Sequence, residues 1–445
     1  MKKLFVSELA DANSSGAMVT ETISKNGRNS KSQISRRSSL KNGIILLLLA
    51  MFLPYTVSAQ KAFISSEIKP YIEFIEKTNT SPVDYVMNLF EKYDVVVIGE
   101  RSHMDMTQYD LINQIISDPR FIASVGHVFT EVGSYNIADE LNAVLKGSYS
   151  HDDIFDKELA KVIFNSNYLP LWEKTNYTKL MKDVYLVNKN LPLEKKINVT
   201  PTDISFSWRQ AKTMTGEEYN TTLHRFWNNT HKDLLMGNNA INELYKIFDG
   251  NSLRKKALII YNTPHSCRYF ENQGFPFFAY QIIADRFPGR VANVMLNWCE
   301  GDESGGGMPV FYLSNDGKLD AAFAASGYKS IGFDLATSPF GNFTYEVQRG
   351  FSAGEVKKKD VYHGFIYYKP IYEWSNTIGV PNLEKIDIKD ELARRHEVFS
   401  NNRMAIDKDE LFSYYTTIRT IPQELIMSKE RFYELIKQYY RPLIN

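Results

Sequence analysis

Apolar residues along this 445-residue chain follow two patterns that take turns. The first is a short run without polar alternation, as in Asp94-Val-Val-Val-Ile-Gly-Glu-Arg-Ser-His103, where Val95 to Ile98 have polar neighbours on both sides. A strand buried on both faces of a parallel sheet reads this way. The second is helical spacing. Met106, Tyr109, Ile112 and Ile116 show it just after that run, and Ile68, Tyr71, Ile72 and Ile75, then Val83, Val86, Met87 and Phe90, show it before. Gly99 is expected to turn the backbone at the strand's carboxyl end.

Further strands are predicted at His127–Glu131, Lys196–Asp203, the apolar run between Arg254 and His265, Val291–Leu296, Val310–Leu313 and Gly364–Tyr368. Helices are predicted at Ile137–Leu145, with Asn136 as cap, and over His151–Asn190, 216–248 and Phe275–Phe287. Three more are predicted at Glu384–Phe399, Asp409–Tyr415 and Lys429–Tyr440. Strands separated by helices predict an α/β fold with a mostly parallel central sheet flanked by helices. The α/β domain then spans 60–375, with a helical insertion at 136–190 covering the sheet edge and a helical extension at 376–445. The insertion is rich in aromatics, including Tyr168, Trp172, Tyr177 and Tyr185.

Charge adds an asymmetry. The chain is neutral overall, but its first 59 residues hold eight Lys/Arg against three Asp/Glu, so the body has five more acids than bases. No basic, aromatic-interleaved stripe appears in that body, which argues against a nucleic-acid partner. Residues 1–59 read as an export signal: a Ser/Asn/Lys-rich stretch, Arg36-Arg37, the ten-residue apolar run Ile44–Leu53, Pro54 and the small-residue site Val57-Ser58-Ala59. The run falls short of the ~20 residues that span a bilayer. Cleavage after Ala59 is the expectation, and an uncleaved membrane anchor the alternative. Ser35-Arg-Arg-Ser-Ser-Leu-Lys41 is similar to a twin-arginine signal, with Ser39 in the usual aromatic position, but the strongly apolar run favours the ordinary secretory route. Cys267 and Cys299 are the two cysteines of the sequence. A disulfide, two free thiols and a metal role all remain open for them.

Parallel strands present their carboxyl ends on one side. Glu100, His103, Glu131, Asp203 and His265 all lie at or just past such ends, so one sheet edge would gather them from four distant segments. Each has an ordinary alternative. Glu100 could cap the next helix, His103 could be exposed and idle, and Pro-Thr-Asp203 is also turn chemistry. Glu131 follows Val-Phe-Thr in a buried strand and needs a partner there. Gly301-Asp-Glu-Ser-Gly-Gly-Gly307 lacks the Lys-Ser/Thr of a phosphate loop and takes no phosphate role.

At these residues the chain resembles the erythromycin-esterase-like, ChaN-like and Tiki superfamily. The resemblance rests on Gly99-Glu100-Arg-Ser-His103, on Glu131 ending the next strand and on His265 after a later one. It covers residues 90–370, including Tyr362-His-Gly-Phe-Ile-Tyr-Tyr368. It implies an α/β fold with its site at the carboxyl edge of the sheet. The esterase branch implies a general base on water at His103, helped by Glu100, Glu131 and His265. The Tiki branch implies a metal-dependent peptidase, and the ChaN branch implies haem binding. The sequence departs from these branches in three places. Met104-Asp105 stand where esterases often carry a glycine, Asp110 and Asn113 where the next helix often carries an arginine, and the Glu-to-His spacing is one residue shorter than the ChaN-like one.

No Gly-x-Ser-x-Gly elbow supports a serine nucleophile, and Cys267 beside His265 is a secondary candidate as a thiolate. The leading expectation is hydrolysis of an ester, lactone or peptide bond by activated water. His103 would be the base, Glu131 or Glu100 its orienting carboxylate, and His265 would stabilise the oxyanion or protonate the leaving group. In the metal variant His103, Glu100, Glu131 and His265 become ligands to Zn, Mn or Fe. The other class is a binding module without catalysis, with Tyr168, Trp172 and Tyr177 lining a pocket for haem or another flat ligand. The expected partner is a small-molecule or peptide substrate, with membrane contact only through an uncleaved N-terminal segment.

Overall fold

The computed structural model describes residues 62–227, 231–268, 278–302, 310–345, 356–401 and 407–443. The predicted export signal lies outside them, as does most of the 301–307 loop. Seven strands form the central sheet: β1 (Val95–Glu100), β2 (His127–Ser134), β3 (Asn198–Asp203), β4 (Ala257–Asn262), β5 (Val291–Leu296), β6 (Ile331–Asp334) and β7 (Gly364–Tyr367). Their order across the sheet is β3-β2-β4-β1-β5-β7-β6. Every pairing is parallel except the last, where β6 runs antiparallel to β7 at the edge. The chain is thus an α/β protein with a mostly parallel sheet. No helix among the described residues is long and apolar enough to cross a membrane.

The central strand β1 shows why its apolar run lacks alternation. All six of its residues are buried. Val96 and Ile98 enter a core built with helices Pro82–Lys92, Thr107–Ser117, Ala138–Lys146, Asp152–Phe164 and Thr175–Asn188. Val95 and Val97 point the other way, toward helices His231–Asp249 and Ala279–Arg286. Successive side chains of a strand leave opposite faces, so a strand covered on both sides has no solvated face to be marked by alternating polar residues. Each such side chain contributes about 1.5–3 kcal/mol of burial. Gly99 does not turn the chain as expected. The strand continues through it to Glu100, and a β-carbon at position 99 would meet Ser266 Oγ at 2.8 Å. The glycine is required by the close approach of the turn that carries His265.

Several predicted elements differ in detail. Val310–Leu313 pairs with Cys299–Asp302 in a separate hairpin and does not join the central sheet. The edge strand β6 follows a helical pattern (Lys318–Ala325) and went unpredicted, its sequence Ile331-Gly-Phe-Asp334 holding no continuous apolar run. Asn136 does not cap the following helix; its side chain accepts the Phe206 N–H at 3.1 Å. The helical pattern at 151–190 is broken between Phe164 and Thr175, where an irregular segment containing Pro170 crosses the sheet edge. Residues beyond 375 feed the same cores: Leu392, Ala393, Leu411 and Tyr415 in one, Met427, Phe432 and Ile436 in another. A short strand at Tyr440–Arg441 pairs with Phe63–Ile64, bringing the two ends of the described chain together.

Candidate functional site

Glu100 is the last residue of β1 and is 1% exposed. A carboxylate there needs several donors, and the helix that follows supplies two of the four. Its Oε1 accepts from the Tyr109 hydroxyl at 2.7 Å, from Asn176 Nδ2 at 2.9 Å and from Gln108 Nε2 at 3.5 Å. Its Oε2 lies 2.8 Å from His103 Nδ1. Burial and the neighbouring Glu100 charge push the Tyr109 hydroxyl far above its ordinary range, so it remains a donor. His103 sits in the loop between β1 and helix Thr107–Ser117, and Asp105 rather than Glu100 accepts the first helical N–H. The imidazole stands edge-on to Trp172, with ring centroids 5.0 Å apart. Its Nδ1 is committed to Glu100, and its Nε2 faces Glu131.

Glu131 reaches the same space through an irregularity in β2. Thr130 pairs with Pro201 and Ser134 with Asp203, so Glu131, Val132 and Gly133 stand opposite the single residue Thr202. Such a bulge re-aims side chains next to a site. Gly133 adopts φ +105°, and a β-carbon there would meet the Tyr177 hydroxyl at 2.4 Å. Glu131 Oε2 accepts the Asn262 N–H at 2.8 Å. Three nitrogens face the other oxygen, Oε1: Lys232 Nζ at 3.2 Å, His265 Nε2 at 3.4 Å and His103 Nε2 at 3.9 Å. Burial would raise this carboxyl, but His265, Lys232, His103 and the Asn262 N–H outweigh it and hold Glu131 well below the usual range.

His265 follows β4 in a single turn, Thr263–Ser266. Its Nδ1 donates to Asp233 Oδ1 at 2.9 Å, and Asp233 in turn accepts the Ala279 N–H. Burial works against its imidazolium, but Asp233 and Glu131 prevail, raising the group to about 9. His265 is therefore a cation at neutral pH. Lys232, on the first turn of helix His231–Asp249, also holds its proton more tightly than usual. Burial is the opposing effect, and Asp203, Tyr168, Glu131 and Asp233 override it.

These side chains border a cavity of about 180 Å³ at the carboxyl edge of the sheet. Of the residues expected from the sequence, His103, Glu131, Asp203 and His265 line it, and Glu100 supports it from beneath. Asp203 is buried, which raises its carboxyl; its Oδ1 accepts the Ile204 N–H. Cys267 is not on the wall. It packs in a separate apolar core that also contains Cys299; no disulfide joins the two, and Cys267 Sγ donates to Pro264 O. The irregular segment Asn167–Lys174 forms the roof, bringing Tyr168 and Trp172 to the cavity, whereas Tyr177 is buried in the core. Residues of the C-terminal stretch hold that roof. The Gly379 N–H donates to Glu173 O, Arg395 Nη1 to Pro170 O, and Phe399 adds a ring to the lining.

The donor set was tested against a divalent metal. Among the described residues no group of three or more His, Cys, Asp or Glu side chains is arranged to hold one. The cation facing the shared Glu131 oxygen is instead the Lys232 ammonium. The residues therefore do not fit a Zn, Mn or Fe centre.

No family model and no curated protein matches the chain. Among solved structures, an erythromycin esterase mutant in its open conformation aligns with 69% of this chain and 96% of its own, at 10% identity and TM-score 0.40. A succinoglycan biosynthesis protein aligns with 69% and 94%, at 9% identity and TM-score 0.38. ChaN of Campylobacter jejuni, with cofacial heme, aligns with 49% and 87%, at 13% identity and TM-score 0.29. Two of these carry the names met in the sequence resemblance. At such scores none of them bears on the chemistry of the site, which rests on the distances above.

Sequence reasoning missed Lys232, Asp233, Asn176, Tyr109 and Gln108. Lys232, Asp233, Asn176 and Gln108 lie on helices whose polar positions look like any solvated face, and Tyr109 reads as one more member of an apolar stripe. Asp233 carried one weak signal, an acid in the first turn of a helix, which is usually a capping preference and not a partner for a distant histidine.

Proposed function

We propose that the chain is an exported hydrolase that activates water with His103. The observation that carries this reading is the His103 imidazole, fixed through Nδ1 by the buried Glu100 carboxylate 2.8 Å away and turned with Nε2 toward the cavity. A carboxylate at Nδ1 keeps the proton on that nitrogen and leaves Nε2 free as the base, the arrangement that serves triads. Among the described residues lining the cavity none is a Ser, Thr or Cys, so water is the nucleophile that the wall supports.

The water oxygen attacks the carbonyl carbon while its proton passes to His103 Nε2, and the carbonyl π pair moves onto oxygen. When the carbonyl re-forms, the bond to the leaving oxygen or nitrogen breaks, and His265 Nε2 donates the proton that the leaving group needs. The proton on His103 then returns to His265 through solvent. One water is consumed, yielding an acid and an alcohol or amine. Glu131, held ionised, is a poor base; its part is to align the His265 imidazolium and Lys232.

The experiment is a panel of p-nitrophenyl esters, lactones and peptides, assayed with wild type and His103→Ala. Hydrolysis lost in the variant supports the reading. Equal rates in both would remove it. Haemin added to the same preparations serves the binding alternative: a Soret band weakened by Trp172→Ala or Tyr168→Phe, with no hydrolysis on the panel, would favour ligand capture.

A further inference from the structure

The expected metal centre and the observed donor set disagree, and that disagreement points to a residue the mechanism has not yet used. Attack on a carbonyl places a negative charge on oxygen, and removing one group aimed at that charge typically costs about 10²–10³-fold in kcat. Metal hydrolases meet the charge with a bound cation. Here the cavity wall carries its own cation, Lys232, whose ammonium lies 3.2 Å from Glu131 Oε1 on an element separate from those bearing His103 and His265. Three nitrogens converge on that one oxygen. In the resting protein a carboxylate oxygen thus occupies the focus of two donors, Lys232 Nζ and His265 Nε2, beside the unprotonated His103 Nε2.

We propose that Lys232 is a further catalytic residue, the built-in cation that stabilises the oxyanion formed from a neutral carboxylic ester or lactone. The proposal rests on the hydrolase reading and divides the labour left open there: Lys232 meets the oxyanion, and His265 is left as the acid. The substrate class follows from the surrounding charge. Five carboxyls, Glu100, Glu131, Glu173, Asp203 and Asp233, border the cavity or directly support its histidines, against the three cations Lys174, Lys232 and His265. Those carboxyls oppose a substrate already anionic before reaction, such as a phosphomonoester. A neutral carbonyl enters without that penalty and gains its single negative charge only in the transition state, where Lys232 acts.

Two measurements on the full chain test this separately from the hydrolase reading. For p-nitrophenyl butyrate, Lys232→Met should lower kcat about 10²–10³-fold, with KM changed less than about threefold, because the interaction is made only in the transition state. Lys232→Arg, which keeps the charge, should recover at least about tenfold of that loss. A Lys232→Met protein with wild-type kcat, or a Lys232→Arg protein no better than it, overturns the assignment. The second measurement needs no turnover. Glu131→Gln removes the resident anion without changing side-chain size, and calorimetric titration with sodium acetate should then reveal one site per chain. That site should weaken at least tenfold in Glu131→Gln/Lys232→Met, a loss of about 1.4 kcal/mol. Absence of an acetate site in Glu131→Gln overturns the Lys232 assignment. A wild type that hydrolyses nothing on the panel overturns the hydrolase reading, and the acetate titration then decides the Lys232 site alone.

Discussion

Replacing Asp233 by Asn should flatten the pH dependence of stability between pH 6.5 and 9. His265 donates to Asp233 at 2.9 Å and faces Glu131 at 3.4 Å. Despite its burial and the nearby Lys232 charge, its affinity for a proton is raised from 6.5 to about 9. A difference of roughly 2.5 units at 1.36 kcal/mol each is about 3 kcal/mol in favour of the imidazolium. In this window the folded protein binds more protons than the unfolded chain, so stability falls as pH rises. The contribution is fully present below pH 6.5 and is lost as pH passes through 9. Glu131 is held well below the usual carboxylate range and Lys232 above its own, so neither titrates in this window.

Asn keeps an oxygen for the Ala279 N–H but removes the charge. Urea midpoints of wild type and Asp233→Asn, measured from pH 6 to 9.5, should therefore differ most at the acid end. The gap there should be the larger part of about 3 kcal/mol, closing at the alkaline end. A gap that is constant across this range, or a wild type whose midpoint does not fall between pH 6.5 and 9, would refute the reasoning.

Other outcomes follow from the same geometry. His103→Ala should fold normally and lose about 10²–10⁴-fold in hydrolytic rate, the usual weight of a general base, as read by kcat on whichever ester the wild type cleaves. Glu100→Ala would strip the Tyr109 hydroxyl of its acceptor and leave the Asn176 amide only that hydroxyl to donate to; at about 1–3 kcal/mol for a buried group left unpaired, its urea midpoint should fall clearly along with activity. Gly133→Ala must force a methyl toward the Tyr177 hydroxyl at φ +105°, so a loss of about 1–3 kcal/mol is expected, with reduced kcat because the bulge that aims Glu131 shifts. A chelator should leave wild-type activity unchanged, and elemental analysis of purified protein should find no stoichiometric Zn, Mn or Fe; activity restored only by added metal would contradict this.

The sequence by itself determined the layered α/β plan. Val95–Ile98 and Ala257–Ile260 can be apolar at every position only if both faces of their strands are covered, and that in turn requires helices on each side of a parallel sheet. It also marked Glu100, His103, Glu131 and His265, because polar residues at the ends of such strands are conspicuous against the apolar runs before them. What it left open was decided in three dimensions. Lys232 and Asp233 lie on a helix whose polar residues carry no local sign of which ones turn inward. Asn176, Tyr109 and Gln108 converge on Glu100 only because two helices pack on the same face of the sheet. Whether a cluster of acids and imidazoles holds a metal or surrounds an ammonium depends on distances of a few ångströms between segments a hundred residues apart. Hydrophobic periodicity records which face of an element is buried, and it carries nothing about which polar atom will lie opposite another once those faces meet.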